Sequence, residues 1–316
     1  MPVGVVRARC FFDDAIDDVA PVKLAAALRG ALRQAIARDA CPHQPPCAAF
    51  SCDADPSIAL LLDPTSPAQR RTFAPAISAR IEAIVRNTID VEVLLWGARA
   101  VGAQALVTRA LQIAGACGVF VDDVARAFRV GPLHVSVAPL ALQAVALAGQ
   151  REVLIELRNV MGTQGDFACL VADAAHDLVQ YQLFDDGQAT ALGKAGCDQR
   201  ADAARAHVKS LFAAVDVVGG AALPVHHGRK RSRRTGHSFA LDGLDGHLVL
   251  RGELTALGPW LGACALRGVG LHKGFGLGQL RVWQRGLTTS EMRNTPMHDV
   301  APGPPNPCWH LGGGEA

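Results

Sequence analysis

The segment "VVRARCFFDDAIDDVAPVKLAAALRGALRQAIAR" (residues 5–38) changes its hydrophobic period once, and this change indicates the fold class. Over residues 5–12, apolar and basic residues alternate, which predicts a strand with Arg7 and Arg9 on its outer face. Over residues 21–38, apolar residues recur every three or four positions behind Pro21, which predicts an amphipathic helix. Arg29 and Arg33 are four residues apart and share a face of that helix. The chain therefore begins as a mixed α and β unit.

The rest of the chain continues this alternation of predicted strands and helices. In the first half, a strand pair, a helix and a last strand follow the first helix (57–63, 88–97, 98–116 and 132–140). Their order β, α, β, β, α, β is the ferredoxin-like arrangement. The second half begins again with a strand and continues in mixed order. Its predicted strands are 151–159, 246–257 and 278–285, and its predicted helices are 166–184, 201–215 and 259–268. Asp166 is the expected cap of the first of these helices.

These elements predict an α+β chain with two tandem ferredoxin-like (RRM-like) domains. The first domain is expected at residues 1–145, and the second, with a C-terminal glycine-rich loop, at residues 146–285. Residues 286–316 are rich in glycine and proline and are expected to form a mobile tail.

Composition excludes several classes of protein. The chain has 316 residues, half of them hydrophobic, and a net charge of only +2, so it is expected to fold around substantial cores. It has no run of eighteen uncharged apolar residues and no signal peptide at its start, so we expect a cytoplasmic protein without a membrane partner. Nine cysteines, an odd number, are expected to be reduced thiols.

The stretch "GVGLHKGFGLG" (268–278) places five glycines and one lysine in eleven positions, which exposes backbone N–H groups. It is not a P-loop, because Lys273 is followed by Gly274 instead of Ser or Thr. It is not a dinucleotide fingerprint either, because a predicted strand follows it. No nucleotide cofactor is therefore expected. An RNA backbone lying against the loop and a glycine-rich hairpin turn remain as interpretations.

A basic segment precedes this loop in the sequence. Residues 217–241 contain no acidic side chain and hold five cations in six positions: Arg229, Lys230, Arg231, Arg233 and Arg234. Such a cluster is either a solvated face or a phosphate-binding surface. Together with the glycine loop, it favours RNA binding with a salt-dependent affinity.

Spaced motifs in residues 229–283 occur in a definite order. They comprise Ser232 and Arg234, then Gly243 and Gly246, then Gly252, Glu253, Leu254, Leu257 and Pro259, and last Phe275, Gly276 and Gly278. In this order the segment resembles the C-terminal half of the CRISPR-associated endoribonucleases of the RAMP superfamily, which process repeat RNA. The first half is similar more loosely, through "LRGALRQAI" (28–36) and "VEVLLWGARA" (91–100). The run "DDGQATALGKAGCDQR" (185–200) departs from the family pattern.

The resemblance implies a metal-independent endoribonuclease that cuts precursor crRNA within its repeats and yields mature guide RNA. In such a reaction a base removes the proton of a ribose 2′-OH, and a donor protonates the leaving 5′-oxygen. The resemblance assigns the base to His43 in "DACPHQPPC" (39–47) and a contact with the scissile phosphate to Arg29, with His272 as the second choice for the base. The RNA-binding residues are then Arg229, Lys230, Arg231, Arg233, Arg234, His237, Gly270, His272, Lys273, Gly274, Gly276 and Gly278.

The expected partners are repeat RNA, the mature crRNA and other Cas subunits. A second interpretation of the same features is a non-catalytic RAMP subunit that binds guide RNA in an effector complex. A general RRM-like protein is disfavoured, because aromatic residues make up 5% of the chain and no aromatic-rich stacking strand is present.

Two further observations bear on the catalytic residues. Cys41, Cys47 and Cys52 surround His43, but intervals of five and four residues are poor for zinc, and no metal is expected. If zinc were bound there, His43 would be a ligand and could not act as the base. An active site that uses tyrosine beside histidine would have to use Tyr181, the only tyrosine in the chain.

Overall fold

The computed structural model contains two four-stranded antiparallel sheets, one in each half of the chain. It describes residues 1–39, 65–66, 71–72, 77–121, 124–140, 145, 147–160, 166–227, 229–231, 238–240, 242–270 and 277–284.

The first sheet is built from the alternating segment at the start of the chain. Its elements in chain order are β1 (Pro2–Phe12), α1 (Pro21–Asp39), β2 (Ile77–Val85), β3 (Thr88–Trp96), α2 (Gly97–Gly102), α3 (Gln104–Cys117) and β4 (Phe128–Pro139). The strand order is β2-β3-β1-β4, which is the ferredoxin-like order. The even-numbered residues from Val6 to Phe12 are buried, whereas Arg7 and Arg9 point outward, as their alternation predicts.

The second sheet repeats this order. Its elements are β5 (Glu152–Val160), α4 (Phe167–Asp185), α5 (Gln188–Phe212), β6 (Val215–Val225), β7 (Gly243–Gly252), a 3₁₀ turn (Thr255–Leu257), α6 (Gly258–Arg267) and β8 (Gln279–Gln284). The strand order is β6-β7-β5-β8, so the fold prediction of two tandem ferredoxin-like units is confirmed. Asp166 caps α4 as predicted, because its Oδ1 accepts the N–H of Cys169 at 2.8 Å.

Short strand pairs complete the described elements. They join Thr65–Ser66 to Arg71–Thr72, Val119–Val121 to Val124–Arg126, and Arg229–Arg231 to Ser238–Ala240.

Several predicted elements differ from the observed ones. The strand that pairs with β3 is Ile77–Val85, whereas the predicted strand 57–63 lies outside the described residues. The helix predicted at 201–215 begins at Gln188 and bends at Gly193. The strand β6 was not predicted, and the helix predicted at 98–116 is interrupted at Ala103. The proposed domain limits near residues 145 and 285 stay predictions.

The outer face of β1 is less basic than its sequence predicts. Arg7 forms an ion pair with Glu92 at 2.5 Å, and Arg9 forms one with Asp90 at 2.7 Å, both across the β1–β3 ladder. Burial alone would raise the pKa of Glu92, but Arg80 and Arg7 outweigh it and lower that pKa. The strand's two arginines are therefore neutralised by acidic partners on β3.

Contacts from α4 and α6 attach the second unit to the first. The hydroxyl of Tyr181 donates to the carbonyl of Trp96 at 2.8 Å, and Asp185 accepts the N–H of Ala98 at 2.8 Å. The buried guanidinium of Arg267 lies between the rings of Trp96 and Tyr181, 5.0 and 5.1 Å from their centres. Because Arg267 directly precedes the glycine loop, these contacts hold the start of the loop against the first unit.

Ion pairs at the sheet edges add to this junction. Arg80 on β2 bonds Glu92 and also donates to the carbonyl of Ala265 on α6 at 2.9 Å. Arg281 on β8 donates to Glu82 on β2 at 3.0 Å. One edge strand of each sheet, β2 or β8, thus contacts the other unit.

Candidate RNA-binding and cleavage site

Asn159, near the end of β5, connects three parts of the chain that are far apart in sequence. Its N–H donates to Asp245 Oδ1 at 2.6 Å, and its carbonyl accepts the N–H of Gly278 at 2.8 Å. Its side-chain Oδ1 lies 2.5 Å from Nε2 of His227. Asn159 has a positive φ of 53°, a conformation that asparagine tolerates better than most residues. The end of the glycine loop and His227, just before the basic hairpin, therefore meet at Asn159.

The two ends of the glycine loop are held close together by backbone hydrogen bonds. The N–H of Val269 donates to the carbonyl of Gly278 at 2.8 Å, which joins the two ends. The N–H of Gly268 donates to the carbonyl of Cys264 at 2.7 Å, which attaches the first end to α6. Gly268, Gly270 and Gly278 all have positive φ, between 71° and 82°. A Cβ on Gly278 would lie 1.8 Å from the carbonyl oxygen of Val269. These glycines are thus required by the neck of the loop itself.

The tip of the glycine loop lies outside the described residues, and with it His272, Lys273, Gly274 and Gly276. Gly270 and Gly278 are described and lie at the neck. The amide of Gly278 already donates to Asn159, so an RNA contact at this position would use another group. The RNA-binding assignments of these residues stay predictions.

The basic segment begins as the short hairpin of Arg229–Arg231 with Ser238–Ala240. Arg229 is exposed on this hairpin, and the backbone positions of Lys230 and Arg231 continue its first strand. Arg233, Arg234 and His237 belong to the predicted RNA-binding set but lie outside the described residues. The hairpin starts two residues after His227, so its first cations lie close along the chain to the Asn159 junction.

The two histidines before the hairpin have different surroundings. His226 is exposed, with its Nδ1 3.5 Å from Asp242. His227 is half-buried, and this burial lowers its pKa, helped by the charges of Lys23 and His226 and opposed by those of Asp245 and Asp242. The imidazole of His227 is therefore a stronger acid when protonated than an exposed histidine.

The predicted catalytic residues of the first unit are only partly described. His43 and the three cysteines around it, Cys41, Cys47 and Cys52, lie outside the described residues. Arg29 lies on α1 with 7% of its surface exposed, so its proposed contact with a phosphate stays a prediction. Tyr181 is buried, which raises its pKa, and its hydroxyl is used by the carbonyl of Trp96. Tyr181 thus acts in the contact between the two units.

In the part of the chain that the structure describes, His, Cys, Asp and Glu form no cluster of three that could hold a metal ion. Of the helices described, none is long and apolar enough to cross a membrane.

Asn159 and Asp245 were missed by the sequence analysis. Their contacts join residues 68 to 119 positions apart, which no local period reveals. One signal for Asn159 was present in the sequence: it is an asparagine at the end of a predicted strand, and asparagine is enriched at left-handed backbone positions.

Comparisons with known proteins gave matches among solved structures only. No protein-family model matches the chain, and no curated protein matches its sequence. A structure described as a Cas6 product complex is 15% identical and covers 89% of this chain and all of its own, with a TM-score of 0.49. A CRISPR-associated Cas6 protein is 9% identical, covers 88% of this chain and 98% of its own, and has a TM-score of 0.36.

A third match belongs to a larger assembly. It is a partial Cas6-RT-Cas1–Cas2 complex, 11% identical over 90% of this chain, with a TM-score of 0.45. This chain covers 46% of that protein. These matched structures are described as CRISPR-associated Cas6 proteins or as complexes that contain one.

Proposed function

We propose that this chain binds CRISPR repeat RNA and cuts it within the repeat, by attack of a ribose 2′-OH on the adjacent phosphate. The observation that supports this most is the junction at Asn159, which contacts both Gly278 of the glycine loop and His227, two residues before the first cation of the basic segment. Two motifs that are about fifty residues apart in sequence therefore contribute to one surface.

The residues supply several of the groups that such a reaction needs. The hairpin at Arg229 and the cations that follow it would hold the phosphate backbone, since guanidinium groups bind phosphate oxygens in pairs. A folded repeat stem would be bound by shape and backbone contacts. His43 would take the proton of the 2′-OH, and Arg29 would contact the scissile phosphate. No metal ion takes part in this scheme, and other Cas subunits would receive the processed guide RNA.

RNA binding by the basic segment has a measurable salt signature. Alanine at Arg231, Arg233 and Arg234 is expected to weaken binding of repeat RNA and to reduce the slope of log K against log salt by about 2 to 3. Each phosphate contact that is lost lowers the number of counterions released on binding by roughly 0.7 to 0.9. Fluorescence anisotropy titrations at several salt concentrations measure both quantities.

The matched control removes the same charge from another surface. Lys194, Arg200 and Lys209 are exposed on α5, and their triple alanine variant is expected to keep the parent slope. An equal loss of slope in both variants would show that only net charge matters, and an unchanged slope in the first would show that the segment is merely solvated.

A further inference from the structure

Transesterification of RNA needs a proton donor for the leaving 5′-oxygen, and the sequence motifs assign none. A candidate must present a titratable proton beside the glycine loop and the phosphate-binding cations. Among the described residues, His227 meets these conditions through its contact with Asn159, the residue that also bonds Gly278.

The hydrogen bond to Asn159 determines which nitrogen of His227 can exchange its proton. The amide oxygen of Asn159 only accepts, so Nε2 of His227 carries a hydrogen and donates to it. Titration then occurs at Nδ1, for which the described residues supply no hydrogen-bond partner. The protonated ring would thus present its acidic proton at Nδ1.

Asn159 is itself held from two sides, which fixes the direction of the ring. Its N–H is bonded to Asp245 and its carbonyl to Gly278, at 2.6 and 2.8 Å. Its backbone is left-handed, and its side-chain Oδ1 contacts Nε2 of His227. An orienting partner of this kind is typical of a histidine that transfers protons.

The groups around His227 act on its pKa in opposite directions. Burial, together with Lys23 and His226, lowers the pKa below its ordinary value, and the charges of Asp245 and Asp242 oppose this by favouring the protonated ring. A bound phosphate brings a further negative charge and favours the protonated form as well. The ring can therefore be charged in the complex and still release its proton readily to a strongly basic alkoxide.

We propose that His227 donates the proton to the leaving 5′-oxygen, with Asn159 as its positioning residue; this rests on the proposed ribonuclease function. The bond from O2′ to phosphorus forms and the bond from phosphorus to O5′ breaks. The proton of O2′ passes to His43, and the proton on Nδ1 of His227 passes to O5′. The products are a 2′,3′-cyclic phosphate and a 5′-hydroxyl, and exchange with water restores both histidines.

Replacing the bridging 5′-oxygen of the RNA by sulfur tests whether His227 acts as the proton donor or in another way. His227→Ala is expected to slow single-turnover cleavage of ordinary repeat RNA by about 100-fold or more. With sulfur in place of the bridging 5′-oxygen, the leaving thiolate needs no proton, and His227→Ala is expected to cut within a few-fold of the parent protein. His43→Ala should remain slow on both substrates.

His207→Ala is the matched control, because this histidine is exposed on α5 and has no assigned role in the reaction, so it should not alter either rate. A defect of His227→Ala that is equal on oxygen and sulfur substrates, or no defect at all, overturns the donor role while the function stands. If the parent protein cuts neither substrate, the proposed function fails and the donor role fails with it.

The positioning role of Asn159 can be tested through the dependence of kcat/KM on pH. Asn159→Asp places a carboxylate beside Nε2 and should raise the pKa of His227, so the fall of kcat/KM at high pH moves to higher pH. Asn159→Gly keeps the positive φ and removes the amide, so it should cut slowly while its melting curve remains cooperative. An unmoved pH profile in Asn159→Asp would overturn the positioning role.

Discussion

His43→Ala is expected to slow cleavage of repeat RNA by about two to four orders of magnitude, the usual contribution of a group that transfers a proton in the transition state. Affinity for the RNA should stay within a few-fold of the parent value, because the imidazole would act mainly on the reacting 2′-OH. Single-turnover rates at saturating protein, together with binding titrations, separate these two quantities.

Other outcomes for His43 have distinct meanings. If His43→Ala cuts normally and His272→Ala does not, the glycine-loop histidine is the base and the assignment to His43 is wrong. If His43→Ala instead loses its fold together with one equivalent of zinc, His43 and the neighbouring Cys41, Cys47 and Cys52 form a metal site. Zinc content measured before and after substitution decides between these cases.

Gly278→Ala is expected to be the most damaging substitution in the glycine loop. A left-handed backbone costs a non-glycine residue about 1 to 2 kcal/mol, and the Cβ would in addition lie 1.8 Å from the carbonyl oxygen of Val269. Relieving this overlap requires breaking the bonds of Gly278 to Val269 and Asn159, so we expect a loss of about 3 kcal/mol or more in the free energy of unfolding. Urea denaturation measures the loss.

Gly149→Ala provides the matched control for this substitution. Gly149 has nearly the same φ, 75°, but no atom lies within 4 Å of the position where a Cβ would be. Its loss of unfolding free energy should therefore be limited to the backbone cost of about 1 to 2 kcal/mol. Equal losses in the two variants would show that the neck of the loop relaxes freely around Gly278.

The hydrophobic period of the sequence predicted those strands and helices that have one buried and one exposed face. β1 and α1 carry apolar residues at intervals of two and of three to four, and the structure places those residues in the first core. The edge strand β6 reads "VDVVGGAALPV", with two glycines and a proline, and pairs with β7 alone. Such a strand has no buried face that would impose alternation, so its sequence gave no strand signal.

The candidate site was predictable only in part, because some of its residues are adjacent in sequence and others are brought together only by the fold. Glycine and arginine runs are visible because their members are adjacent in sequence. The contacts of Asn159 with His227, Asp245 and Gly278 arise from strand pairing and from the path of the chain after each strand. A pattern read along one segment does not contain that information.

We expect this chain itself to cut repeat RNA without a metal ion. The most direct measurement incubates the purified protein with its own repeat RNA in EDTA, next to the same RNA with one 2′-deoxy nucleotide at the cleavage position. We predict one cut that leaves a 2′,3′-cyclic phosphate and a 5′-hydroxyl, and no cut in the deoxy RNA, because the attacking group is then absent. Tight binding of both RNAs without any cleavage would contradict the claim and indicate a non-catalytic guide-RNA subunit.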